Sequence, residues 1–181
     1  PGAWRKNPQL VLEFYNYRRR NVAEARPNAA HFGLAALQHK FEVNIITQNI
    51  DDLHERAGSN NVLHLHGEIF KMRSERNEGL IAEIIGDIKI GDCAEDGCQY
   101  RPHIVWFEEP VPKIEEAIPI VHSADIFVVV GTSLVVYPAA GLVNYARREI
   151  PKYIIDKRIP YTAYYDNIIA IEKSATEGVK D

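Results

Sequence analysis

Hydrophobic positions along this chain gather into short, nearly unbroken apolar runs, not alternating ones. Val43 to Ile46, Val62 to Leu65, Ile126 to Val130, Tyr153 to Ile155 and Ile168 to Ile171 each end in polar or glycine residues. β-Branched side chains dominate, and the pattern predicts strands covered on both faces, as in a parallel sheet flanked by helices. Helical spacing lies between the runs. Asn7 to Arg20 carries Leu10, Val11, Phe14, Tyr15 and Arg18 three and four apart, and Asn28 to Lys40 carries His31, Leu34, Ala35 and Leu37. Pro112 to His122 and Pro138 to Glu149 both open with a proline suited to a first helical turn. Strand and helix in alternation predict an α/β fold with a doubly wound, Rossmann-like parallel sheet. Residues 74–101 break the rhythm: they are rich in Glu, Asp, Gly and Lys and hold both cysteines, which reads as a small inserted module or long loop.

Composition narrows the classes. The chain has 181 residues, 46% hydrophobic and 25% charged, which fits one globular domain with a small insertion. Lys+Arg number 21 against 25 Asp+Glu, a net charge of −4, which argues against a basic nucleic-acid binder. No apolar run approaches the roughly 18 residues of a membrane span. Two cysteines make no secreted disulfide framework and no signal peptide opens the chain, so a cytoplasmic location is expected. The start at Pro1-Gly2-Ala3-Trp4, without an initiator Met, reads as a piece of a longer protein.

Candidate chemistry lies at strand ends, where open α/β sheets bind ligands. Thr47-Gln48-Asn49-Ile50-Asp51-Asp52 follows the first apolar run; it suits a sugar hydroxyl and a carboxamide, and equally a capped loop. His66, before Gly67 at the end of the next run, suits a general base or a satisfied edge histidine, while His64 reads as structural. Gly131-Thr132-Ser133 suits a phosphate or ribose, or a plain tight turn. Asp156 suits ribose hydroxyls, or a solvated loop beside Lys157 and Arg158. Tyr15, Tyr17 and Arg18-Arg19-Arg20 either form a solvated face or turn one Tyr and one Arg toward a carboxylate ligand.

In order and spacing these pieces resemble the sirtuin family of NAD-dependent protein-lysine deacylases. The residues that carry the resemblance are Thr47 to His54, Ala57-Gly58, Leu65-His66-Gly67, Arg101-Pro102-His103-Ile104-Val105-Trp106-Phe107 and Gly131-Thr132-Ser133-Leu134, with Tyr15 and Arg18 similar to the Tyr-x-x-Arg of class III members. The resemblance implies NAD as cosubstrate and acylated lysines of proteins or peptides as partners, with no nucleic acid or membrane among them. The acyl oxygen would attack the nicotinamide ribose, nicotinamide would leave, and His66 would activate a ribose hydroxyl toward the resulting alkylimidate. Gln48, Asn49 and Asp51 would hold the nicotinamide and its ribose, Gly131, Thr132 and Ser133 phosphate or ribose, and Asp156 the adenosine end. Val105, Trp106 and Phe107 would border the acyl-lysine channel, with the peptide added as a strand. Tyr15 and Arg18 would bind the distal carboxylate of a succinyl or malonyl group.

The same resemblance divides the chain into a helical segment 1–40 with the acyl-binding helix, a dinucleotide-binding domain from 41–73 and 102–181, and residues 74–101 as the equivalent of the family's zinc module. Three departures accompany it. The family's opening strand and Gly-Ala-Gly-Ser loop are not in this sequence. Ser74 and Asn77 stand where the first zinc cysteine pair would be, so only Cys93 and Cys98 of four match and no zinc is expected. Glu108 replaces the glycine expected after Trp106-Phe107. These departures keep a second reading open, a sirtuin-like binding protein of weak or no catalytic activity.

Overall fold

A computed structural model describes residues 1–132, 138–159 and 166–180. The chain divides into two compact units: Pro1–Arg26 with Thr47–Leu53 and His66–Pro110, and Pro27–Ile46 with His54–Leu65 and Val111–Asp181. The first unit thus joins residues 1–26 of the amino-terminal segment, read from the sequence as the helical part of the small domain, to the region around the insertion. None of the helices among the described residues is long and apolar enough to cross a membrane.

The first unit starts with α1 (Gly2–Lys6) and α2 (Pro8–Glu24). Pro8 occupies the first turn of α2, and the Asn7 side chain caps it by accepting from the Leu10 N–H at 3.0 Å. The buried side of α2 is not the apolar stripe that spacing singles out. Leu10, Phe14 and Tyr17 are exposed, whereas Leu12, Asn16 and Arg19 are buried. The three consecutive arginines diverge because successive helical residues point about 100° apart. Arg18 is exposed, Arg20 pairs with Asp87 at 2.6 Å, and Arg19 turns inward at 1% exposure.

What Asn16 and Arg19 meet inside is main chain. Arg19 Nε donates to the Ile69 carbonyl at 2.7 Å, and its Nη1 donates to the Gly86 carbonyl and to Asn16 Oδ1. Asn16 in turn donates to the Ile88 carbonyl and accepts from the Ile88 N–H. α2 thereby pins an antiparallel sheet whose strands the apolar runs do not reveal: β3 (Gly67–Ser74), β4 (Ile81–Glu83) and β5 (Tyr100–Ile104), in the order β4-β3-β5. Residues 74–101 are therefore half of a small β module and not a long loop. Its turns are tied by Ser74 Oγ, which accepts from the Arg76 and Asn77 N–H groups and donates to Asp96 at 2.7 Å. Asp96 also accepts from the Cys98 N–H.

The second unit holds all five strands that the apolar runs predict. β1 (Ile45–Thr47), of which Ile45 and Ile46 belong here, pairs with β2 (Val62–His64), and β6 (Phe127–Val130), β7 (Lys152–Ile155) and β8 (Ile168–Ile171) form a parallel sheet in that order. Only β7 has the expected burial; the neighbouring Val128 and Ile169, in one row across the sheet, are exposed. Helices α3 (Ala29–Leu37), α4 (Leu53–Arg56), α5 (Ile114–Ser123) and α6 (Ala175–Gly178) complete the unit. α3 begins in a capping box between Asn28 and His31. The segment opened by Pro138 is a 3-10 helix over Ala139–Tyr145, shorter than the helix its sequence suggests. Leu65, Val121, Leu142 and Ile150 share the apolar core of this unit. The buried Lys152 ammonium holds the return to β7 by donating to the carbonyls of Arg147, Arg148 and Ile150.

Asn16→Ala strips partners from a buried N–H and a buried carbonyl and removes one contact of a buried guanidinium. The expected loss is about 2–4 kcal/mol of unfolding free energy, read as a lower urea midpoint at unchanged slope.

Candidate active site

In the first unit the loop after β1 and the turn before β3 come together around His66. Ile69 N–H donates to the Ile50 carbonyl at 2.8 Å, which fixes the 48–52 loop against β3. The Gln48 carbonyl then lies 3.0 Å from His66 Nδ1. A carbonyl oxygen only accepts, so the proton of a neutral His66 resides on Nδ1 and Nε2 keeps its lone pair. The His66 carbonyl accepts from the Val105 N–H at 2.9 Å, so the histidine is tied at ring and backbone. Gly67 makes this close approach feasible. Its φ is +83°, and a Cβ there would run into the His103 carbonyl oxygen. In the same loop, Asn49 donates its N–H to Thr47 Oγ1 and Asp51 accepts from the Leu53 N–H. Each holds the loop through one of its polar groups.

The second cluster of this unit surrounds Trp106. The Arg101 guanidinium lies over the indole at 3.3 Å from the ring centroid, and the Trp4 and Tyr15 rings approach at 5.7 and 6.3 Å. Glu109 holds the arrangement: it accepts from Arg101 through both oxygens at 2.8 and 3.0 Å and from the Trp106 N–H at 2.8 Å. Buried Arg73 stands 3.8 Å from Glu109 and 3.2 Å from Glu78. Burial pushes the Glu109 carboxyl up, but the Arg101 and Trp106 hydrogen bonds with the Arg101 and Arg73 charges outweigh it, so the net shift is downward. Burial raises the Tyr15 phenol, opposed by the nearby Trp106 indole and the charges of Arg18 and Arg101. Trp106 Nε1 is buried without a hydrogen bond of ordinary geometry. Arg18, exposed on α2, lies against the Phe14 ring. Phe107, the last of the predicted channel residues, is 90% exposed.

In the second unit Gly131 follows β6 with φ +63°, and among the described residues nothing lies within 4 Å of where a Cβ would stand; its N–H donates to the Ile155 carbonyl, and Thr132 follows. Asp156 ends β7 and accepts from the Arg158 N–H through one oxygen. Ser133 lies outside the described residues. Sequence reasoning missed Arg101 and Glu109 as partners, as well as Arg73 and Trp4. Ion pairing across eight residues has no periodic signature, and the Arg101 to Phe107 motif marks the segment without its partners.

Residues 1–138 match the Sir2 family. The chain belongs to that family. Over 181 residues it is 48% identical to an NAD-dependent protein deacylase of Helicobacter pylori, covering 100% of this chain and 79% of that protein. A Bacteroides thetaiotaomicron protein of the same name is 48% identical over 187 residues, covering 100% and 80%. Among solved structures, a Sir2 homologue in complex with NAD superposes with a TM-score of 0.88 at 35% identity, over 99% of this chain and 72% of the other. Sir2 bound to acetylated peptide gives 0.80 at 30% identity, over 99% and 79%. The Rossmann-like α/β fold expected from the sequence is that of these Sir2 structures.

Within this Sir2 protein the Glu109 clasp is open to a pH test. Its folded carboxyl titrates below its unfolded one, so the ionised group stabilises the fold above the unfolded value of about 4.3 and that contribution is lost as pH falls through the folded value. Glu109→Gln is expected to cost about 2–4 kcal/mol at neutral pH. The urea-midpoint gap to the wild type should narrow steadily as pH falls below the unfolded value of about 4.3.

Proposed function

We propose that this chain is an NAD-dependent protein-lysine deacylase that removes succinyl and malonyl as well as acetyl groups, releasing nicotinamide and O-acyl-ADP-ribose. The observation that carries the reading is the state of His66. With Nδ1 committed to the Gln48 carbonyl, Nε2 is the basic nitrogen, as a residue that takes a proton from a ribose hydroxyl requires. Family membership and the deacylase names of the relatives support the same reaction.

NAD is the cosubstrate in this reading. Its chemistry is the loss of nicotinamide, which opens the anomeric carbon to the acyl oxygen. Gln48, Asn49 and Asp51 would orient the nicotinamide end, and His66 would accept the proton. The absence of a side chain at Gly131, with nothing among the described residues where a Cβ would stand, would suit close approach of a phosphate to the backbone, with Thr132 beside it and Asp156 for ribose hydroxyls. Val105 and Trp106 would line the acyl-lysine path, with Phe107 at its mouth.

Preference for an acidic acyl group rests on α2. Tyr15 and Arg18 stand three apart on one helical face, and Arg18 makes no ion pair among the described residues, while Arg101 and Arg73 are neutralised by Glu109 and Glu78. A distal carboxylate would find a phenol, a guanidinium and the buried Trp106 indole N–H near one another. The β module would hold its turns through Ser74 and Asp96, with hydroxyl and amide side chains where two thiolates would be needed for zinc.

Incubation with NAD and matched succinyl- and acetyl-lysine peptides, followed by mass spectrometry of the products, is the test. Nicotinamide and the corresponding O-acyl-ADP-ribose are expected from both, and His66→Ala should lower turnover by about a hundredfold or more. Arg18→Ala should lower kcat/KM for the succinyl peptide about 10- to 100-fold and leave the acetyl peptide nearly untouched. No turnover of either peptide would overturn the deacylase reading in favour of a binding role, and an equal loss on both peptides in Arg18→Ala would overturn the acyl preference.

A further inference from the structure

We propose that Glu108 selects among acyl-lysine sequences, favouring peptides with Lys or Arg beside the modified lysine; the inference rests on the acyl-lysine site proposed above. Glu108 has φ +74°, a conformation that glycine adopts freely and that costs other residues on the order of 1–2 kcal/mol. It holds the third position of a tight turn closed by the Glu109 N–H donating to the Trp106 carbonyl at 3.0 Å. The same turn is bound from the other side by Glu109 Oε2, which accepts from the Trp106 N–H. Fixed at both ends, the turn presents its two central side chains, Phe107 and Glu108, outward.

Charge bookkeeping then separates the two adjacent glutamates. Glu109 is consumed by Arg101, with Arg73 close by. Glu108 has no hydrogen bond or ion pair among the described residues, so its carboxylate is available to a cation from outside. The turn directly follows β5, the edge strand of the β4-β3-β5 sheet, and an edge strand is where an extended peptide adds by main-chain pairing. Side chains flanking an acyl-lysine bound along that edge would pass the exposed Glu108. An exposed ion pair contributes up to about 1 kcal/mol, which corresponds to a preference of up to about fivefold and weakens with salt.

The test uses three fluorescent succinyl-lysine peptides that differ only in two flanking residues, Lys, Ala or Glu. Anisotropy binding without NAD and turnover with NAD are measured for the wild type, Glu108→Gln and Glu108→Gly. The wild type should bind the Lys-flanked peptide about three- to fivefold more tightly than the Glu-flanked one at low ionic strength, and the ratio should shrink at about 0.5 M salt. In both variants it should fall to about one, with Ala-flanked binding unchanged in Glu108→Gln and a higher Tm in Glu108→Gly. A wild type without preference, a ratio that survives Glu108→Gln, or no binding of any peptide overturns the proposal. Turnover of the Ala-flanked peptide separates the two readings: preference without turnover sinks the deacylase assignment and leaves Glu108 its role, and turnover without preference does the reverse.

Discussion

Guanidinium groups taken out of water must recover their hydrogen bonds from the protein, and the first unit is organised by that requirement. Arg19, Arg73 and Arg101 are all buried in it. A buried cation left alone costs several kcal/mol, so each fixes what surrounds it. Arg19 is met by carbonyl oxygens at two separate points of the β module and by Asn16 of its own helix. Arg101 and Arg73 are met by carboxylates. The small antiparallel sheet is thereby tied to α2 through hydrogen bonds as well as through the buried Leu12, Ile69, Ile88 and Ile104.

The consequences reach His66 through short steps. The Glu109 bonds that neutralise Arg101 also hold the Trp106 backbone and lay the guanidinium on its indole. One residue before Trp106, Val105 donates to the His66 carbonyl, and the imidazole is oriented by Gln48 from the 48–52 loop. The side chain that would accept a proton and the wall that would border the acyl group are therefore parts of one hydrogen-bonded framework. Chemistry of this kind tolerates little misplacement, and locked supporting contacts are how a fold achieves it.

The second unit solves a different problem. Its parallel sheet is short, and β7 is its most buried strand, with Lys152, Ile154 and Ile155 buried and Tyr153 half-buried. Lys152, at the start of that strand, draws the preceding turn in through backbone carbonyls instead of a counter-charge. Such an arrangement leaves the strand ends at Gly131 and Asp156 set by the sheet itself, and Asp156 caps the residues that follow it by accepting from the Arg158 N–H.

Much of this was legible in the residues alone. Apolar runs of β-branched residues mark β1, β2, β6, β7 and β8 because burial and backbone preference act together along a few contiguous positions. Position at strand ends made His66 and the 48–52 loop candidates, and the resemblance to the sirtuin family singled out both of them and the Trp106 segment. The buried face of α2 was not legible, because its inward residues are an amide and a guanidinium whose partners are backbone atoms about 50–72 residues away. Nor was the β module, whose strands carry charged and polar residues, or the division of labour between Glu108 and Glu109, adjacent and chemically identical. Local pattern reports what each residue prefers. Which buried charge meets which acceptor, and which carboxylate is left facing outward with φ +74°, was decided only when distant segments closed on one another.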